Sequence, residues 1–186
     1  MTRYSAVAIT LHWLIALAVG ALVVLGIVMT GLPDAELARK FALYQWHKSI
    51  GITVLLLSLL RLAWRLTHRA PPLPPTLKPW ERIAARATHI GFYGLIILIP
   101  LLGWAMVSAS PYNIPTVLYG QISWPHLPVP KSMFGAALAA HVWLAFGAVA
   151  LLVLHVAAAL KHHFILKDDV LARMVPFLRP PQGEQR

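Results

Sequence analysis

The chain has 186 residues, of which 59% are hydrophobic and 12% are charged, and it contains no cysteine. So few charges cannot cover the surface of a soluble domain of this length, so the composition predicts an integral membrane protein. The lack of cysteine excludes disulfides, thiolate-ligated haem and Cys-ligated iron–sulfur clusters, and it leaves histidine as the strong nitrogen ligand for any metal.

Four apolar segments are long enough to cross the hydrocarbon core of a bilayer, which is about 30 Å thick. The expected helices cover residues 6–30, 46–66, 86–109 and 133–163. Five prolines between Pro71 and Pro79 predict an extended link between the second and third helices, because proline disrupts a helix interior. We therefore expect residues 1–186 to form one all-α domain, an integral membrane four-helix bundle.

The net charge of +10 is distributed unevenly along the chain. Twelve of the sixteen basic side chains belong to Arg3, to residues 61–86 or to residues 161–186. The positive-inside rule places these regions, and so both termini, in the cytoplasm. The proline- and aromatic-rich residues 110–130 are then expected to form a loop on the outer side. Because the basic residues flank membrane spans, we predict lipid contact and no nucleic-acid binding.

Histidines on three of the predicted helices sort into two pairs at matching depths. On the fourth helix His141 and His155 lie fourteen residues apart, which is about 21 Å along the axis, and they share one face. The helix directions place His12 level with His155, and His47 level with His141. Two facing helices at each level can hold a six-coordinate haem. A zinc site would need four ligands, and each level offers two.

Other polar residues near these levels have more than one interpretation. Arg61 and Arg65 could pair with haem propionates or anchor the second helix at the inner leaflet. Lys48 could neutralise an outer propionate or attract an anion, or its side chain could simply reach the membrane surface. His89 could be a spare ligand, a propionate partner, a quinone contact or a structural residue. His162 could bind a quinone carbonyl or relay a proton, or it could be an interfacial residue.

These residues resemble those of the bacterial cytochrome b561 family. The matching elements are His12-Trp13, Trp46 to Gly51, the Arg61–Arg65 pair, Ile99 to Gly103, and the stretch from His155 to Met174. The resemblance implies two haem b groups in the bacterial inner membrane, and electron exchange with the quinone pool. Carried over by residue, His12 and His155 would hold the inner haem, and His47 and His141 the outer one. Within the family, the closing stretch is most similar to members that oxidise superoxide at the periplasmic side and reduce ubiquinone.

The sequence just before the outer ligand His141 lacks basic residues that would attract an anionic electron donor. Residues 136–140, just before His141, are apolar. An entrance that attracts anions would have to use Lys48, Lys131, Arg39 or Lys40. The sequence also leaves two other functions open. One is a haem b anchor subunit that carries electrons between a partner dehydrogenase or hydrogenase and quinone. The other is a histidine-lined metal or proton transporter without haem.

Overall fold

The computed structural model describes residues 3–74, 77–175 and 177–178. Its four long helices are α1 (Ala6–Gly31), α2 (Leu37–Thr67), α3 (Pro79–Ala109) and α4 (Phe134–Phe164). Each of them is long and apolar enough to cross a membrane. The mostly helical structure confirms the predicted class, a four-helix membrane bundle.

Helices α2 and α3 both begin well before the residues expected from hydropathy, at Leu37 instead of 46 and at Pro79 instead of 86. Polar contacts stabilise both early starts, and at α3 the Glu81 carboxylate accepts the backbone N–H of Lys78 at 3.0 Å. A 3₁₀ turn, Asp34–Glu36, leads into α2, and the Glu36 carboxylate pairs with Arg39 at 3.0 Å. Pro79 occupies the first helical position of α3, where its missing N–H costs no hydrogen bond. The apolar spans therefore continue into polar helical turns, which a hydropathy reading leaves out.

The link between α2 and α3 has no regular structure over residues 71–74. Pro75 and Thr76, which belong to the predicted extended link, lie outside the described residues. Pro100 lies inside α3, which the structure assigns as one helix on both sides of it.

The helices pack in chain order, with α1 along α2, α2 along α3 and α3 along α4. Within the described ranges, α4 does not pack closely along α1 or α2. All of α4 is described, and Ala137 is its one buried residue. The face of α4 that looks toward α1 and α2 is therefore not closed by direct helix packing.

The two ends of the bundle are built differently. At what we call the terminal end (residues 3–5, 68–74, 77–78, 165–175 and 177–178), Trp13 Nε1 donates a hydrogen bond to the carbonyl of Met174 at 2.8 Å. The other end, the hairpin end (residues 32–36 and 110–133), carries two short antiparallel strands, β1 (Thr116–Leu118) and β2 (Ile122–Trp124).

The hairpin was not predicted, because residues 110–130 were expected to form a loop. Tyr119, Gly120 and Gln121 connect the strands, and the first two have φ of 52° and 72°, as the central residues of a type I′ turn require. The hairpin is held on α2, because the backbone N–H of Tyr119 donates to Ser49 Oγ at 3.0 Å and its hydroxyl lies 2.6 Å from Thr53 Oγ1. The short strands thus form a fixed cover over this end of the bundle.

Candidate functional site

The structure brings the four predicted ligand histidines together in the two expected pairs. The ring centres of His12 on α1 and His155 on α4 lie 6.4 Å apart. The ring centres of His47 on α2 and His141 on α4 lie 6.2 Å apart. Each pair thus brings together α4 and a helix that does not pack closely along α4.

Both separations fit two imidazoles on opposite sides of one iron. An axial metal–nitrogen bond is about 2.0–2.1 Å and the nitrogen lies about 1.1 Å from its ring centre, so the centres should be about 6.3 Å apart. Within the described residues, no group of three or more histidine, aspartate or glutamate side chains is arranged to hold a metal ion. The donor set therefore fits two-ligand haem sites better than a tetrahedral zinc site.

At the hairpin-end pair, the backbone of α3 orients one ring. His141 Nδ1 lies 2.9 Å from the carbonyl oxygen of Ile99 and donates to it. A metal-binding histidine usually donates its second ring N–H in this way, which fixes the tautomer and leaves Nε2 for the metal. The partner His47 has a buried Nδ1 without a well-formed hydrogen bond in the described part of the chain.

Two glycines leave room for these rings, to different degrees. A Cβ on Gly103 of α3 would lie 3.1 Å from both Cε1 and Nδ1 of His141. A Cβ on Gly26 of α1 would lie 3.7 Å from Cε1 of His47, an ordinary contact distance. Gly103 is thus a much tighter neighbour of its histidine than Gly26 is.

At the terminal-end pair, a third histidine joins the cluster. The ring centre of His89 on α3 lies 6.1 Å from that of His155, and the ring of Phe92 lies 5.2 Å from the same histidine. Ring spacing alone therefore suits either His12 or His89 as the partner of His155. Because α3 packs directly along α4 whereas α1 does not, only the His12 side leaves width for a macrocycle.

The predicted propionate partners bind backbone carbonyls. Arg61 donates to the carbonyl of Ala8 at 2.7 Å, one turn before His12, so it lies at the terminal-end pair. Arg65 is exposed and donates to the carbonyl of His68 at 3.4 Å. Lys48 Nζ donates to the carbonyl of Pro115 at 3.0 Å, between the hairpin and α2.

The four cations near the hairpin end, Arg39, Lys40, Lys48 and Lys131, differ in whether they bind a carboxylate or a carbonyl. Arg39 and Lys40 form ion pairs with the acidic residues Glu36 and Asp34, at 3.0 and 2.9 Å. Lys131 instead donates to the carbonyl of Ser110 at 2.6 Å, as Lys48 donates to a carbonyl. Unlike Arg39 and Lys40, these two lysines are not paired with a carboxylate in the part of the chain that the structure describes.

The two predicted quinone contacts are separate in the structure. His162 Nδ1 lies 2.5 Å from Asp168 Oδ2, and both side chains are largely buried. The other carboxylate oxygen of Asp168 accepts the backbone N–H of Val170 at 3.0 Å. No hydrogen bond or ring contact joins His162 to His89 among the residues that the structure describes.

Sequence reasoning missed the residues that hold these histidines in place. Asp168 follows His162 by six residues, so a carboxylate just beyond a helix end was a usable signal. Gly103 ends the stretch from Ile99 that resembles the family's sequence, but its contact with His141 depends on how α3 and α4 are aligned. That alignment cannot be derived from one sequence.

Comparison with known proteins places the chain in a family. Residues 3–177 match the family described as prokaryotic cytochrome b561. The chain is 36% identical over 177 residues to cytochrome b561 homolog 2 of Escherichia coli, covering 93% of this chain and 91% of that protein. It is 32% identical over 182 residues to the probable superoxide oxidase CybB of Yersinia pestis, covering 94% and 96%. It is 30% identical over 175 residues to cytochrome b562 of Cereibacter sphaeroides, covering 92% and 94%.

These matches confirm the resemblance predicted from the sequence. They cover nearly the whole chain, and the family implies a haem b cofactor. With four helices that can span a membrane, they indicate a bacterial membrane protein that transfers electrons. The chain belongs to the prokaryotic cytochrome b561 family.

Proposed function

We propose that the protein holds two haem b groups in the bacterial inner membrane and transfers electrons from superoxide to ubiquinone. Two superoxide anions each lose one electron and leave as dioxygen. One ubiquinone takes up the two electrons and two protons and leaves as ubiquinol. The hairpin end is the donor side and the terminal end is the quinone side.

The observation that carries the proposal is the spacing of the histidine rings. Centres 6.4 and 6.2 Å apart agree with about 6.3 Å for two axial ligands on one iron. We assign His12 and His155 to one haem, and His47 and His141 to the other. Haem b, when bound, supplies reversible one-electron transfer at its iron. Two histidines would hold the iron at each site, and they would leave no open position on it for oxygen.

The charges of the hairpin end support an anionic donor. Lys48, next to His47, and Lys131 both bind carbonyl oxygens and not carboxylates in the described residues, and they would attract superoxide toward the outer haem site. The relative from Yersinia pestis, whose name describes it as a probable superoxide oxidase, supports the same donor. Lys48 could also meet a propionate of the outer haem.

The basic residues support quinone chemistry at the terminal end. The positive-inside distribution favours a cytoplasmic position for that end, where protons for quinone reduction are available. Asp168 holds His162 by Nδ1, which leaves Nε2 free to bind a quinone carbonyl or pass it a proton. His89 and Arg61 lie by the terminal-end pair, and Arg61 and Arg65 carry charge suited to propionates.

Superoxide-driven ubiquinone reduction by the purified protein tests this function. We expect the absorption spectrum of a haem b protein, with two haems per chain, and ubiquinol formation that stops when superoxide dismutase is added. A protein with haem that forms no ubiquinol from superoxide would overturn the proposed donor. If it then took electrons from a co-purified dehydrogenase or hydrogenase, the anchor-subunit function would replace it. A protein without haem after haem-replete expression would leave the transporter function.

A further inference from the structure

We propose that Gly103 is a positioning residue that sets the plane and the tautomer of His141, and thereby the reduction potential of the hairpin-end haem. This inference rests on the proposed function, because it requires His141 to be an iron ligand. It concerns a side of the ring that does not touch the metal.

Helix α3 lies against the His141 ring at two positions, Ile99 and Gly103. The carbonyl oxygen of Ile99 accepts the ring N–H at 2.9 Å. Gly103, four residues later, lies on the same face of the helix, and its missing side chain leaves the space that the ring occupies. A Cβ there would come within 3.1 Å of two ring atoms, closer than packed carbon atoms normally stand.

The colliding atoms cannot easily move apart. A Cβ is fixed to the helix backbone, and α3 packs along α4 at this level. The ring would have to turn or shift by a few tenths of an ångström, away from Ile99. That movement stretches the bond from Nδ1 to the Ile99 carbonyl, which is the contact that fixes the tautomer.

Loss of this bond changes the electron donation from the ring to the metal. An imidazole whose second N–H donates to a carbonyl is a more basic ligand, and a more basic ligand favours the more positive, oxidised iron. When the bond weakens, the reduced iron is favoured and the potential of this haem rises. The terminal-end haem, which is held by other histidines, should keep its potential.

Three glycine substitutions give a matched test by potentiometric titration of the whole purified protein. For G103A we expect the oxidised-to-reduced ratio of one haem to fall about tenfold at a fixed potential, a shift of about 59 mV for a one-electron couple. The electron paramagnetic resonance signal of that ferric haem should change as well. The methyl group added by G26A would lie 3.7 Å from His47, the other histidine of the same pair. The methyl group added by G94A would lie in open space on α3, the helix that also carries Gly103. Both should titrate as the original chain does.

Each possible result supports or contradicts the proposal. If G103A binds two haems and both keep their potentials and signals, Gly103 does not position His141. If G26A or G94A shifts one haem as much as G103A does, the effect is a general response of the helices and the inference is wrong. If G103A does not fold while G94A does, the His141 ring cannot shift to make room for a Cβ, and the inference that Gly103 sets the potential by positioning the ring is wrong.

The failure of the proposed function can be recognised separately. If H141A still binds two haems, His141 is not an iron ligand, and both the site assignment and this inference are wrong. If H141A loses one haem but G103A titrates as the original chain does, only the role of Gly103 is wrong.

Discussion

The two histidine pairs have nearly the same ring separation, 6.2 Å at the hairpin end and 6.4 Å at the terminal end, but their surroundings differ. His141 is held by a backbone carbonyl and faces a glycine, and the hairpin fixed on Ser49 covers that end. In the described residues, no such carbonyl bond reaches His12 or His155. Instead His89 and Phe92 surround His155.

The difference shows that two histidine pairs with nearly equal ring spacing can be held in place by different contacts. At the hairpin end the backbone fixes a ring, so small changes in α3 should alter the haem there. At the terminal end His89 and Phe92 contact His155 instead, so side chains and not a backbone carbonyl surround this pair in the described residues.

The largest expected effect separates His12 from His89 as the partner of His155. We expect H12A to bind one haem per chain in place of two, because the site between α1 and α4 loses an axial ligand. H89F should still bind two haems, since α3 packs along α4 and leaves no width for a macrocycle. Haem and protein quantification of both variants measures this. Loss of a haem in H89F, with two retained in H12A, would reverse the assignment.

An effect of about tenfold or more is expected from Asp168. D168N replaces a charged hydrogen-bond partner of His162, and such bonds contribute about 1.5–3 kcal/mol. We expect the kcat of ubiquinone reduction to fall while superoxide still reduces the haem at its original rate. D169N is the matched control, because the neighbouring Asp169 pairs with Arg173 at 2.8 Å. Equal losses in both variants would indicate that the terminal segment only needs its charges to fold.

A several-fold effect is expected at the donor side. K48M removes a charge that binds a carbonyl and no carboxylate within the described residues, so superoxide should reduce the haem more slowly and with a weaker dependence on ionic strength. R39M should change little, since Arg39 is exposed to solvent and lies eight residues before His47, about 12 Å along the helix, where salt screens its charge. Stopped-flow reduction at several salt concentrations measures both. An unchanged rate and salt dependence in K48M would exclude Lys48 from attracting the donor.

Much of this arrangement could be predicted from the sequence because it depends on one-dimensional quantities. Hydropathy predicted four spans, and the helical rise together with the charge distribution placed the histidines at two levels. The early start of α2 at Leu37 was missed because ion pairs, and not apolar residues, stabilise its first turn. The hairpin was missed because its turn depends on a positive φ at Tyr119, a residue type that rarely adopts it.

The details of the sites depend on three-dimensional alignment and were beyond the sequence. The contact of Gly103 with His141 requires the relative positions of α3 and α4. The bond from His162 to Asp168 requires the chain to reverse at Lys167, which has a φ of 51°. The position of Asp168 just beyond a helix end was a usable signal for its bond to His162, whereas nothing in the sequence identified His141 as the neighbour of Gly103.

A redox titration of the haem absorbance of the purified protein, combined with haem quantification, tests the central claim most directly. The claim is that each histidine pair holds one haem. We predict two haems per chain, which titrate as two one-electron components of equal amplitude, and the loss of a different component in H141A and in H155A. A single component in the original chain, or loss of the same component in both variants, would contradict the account.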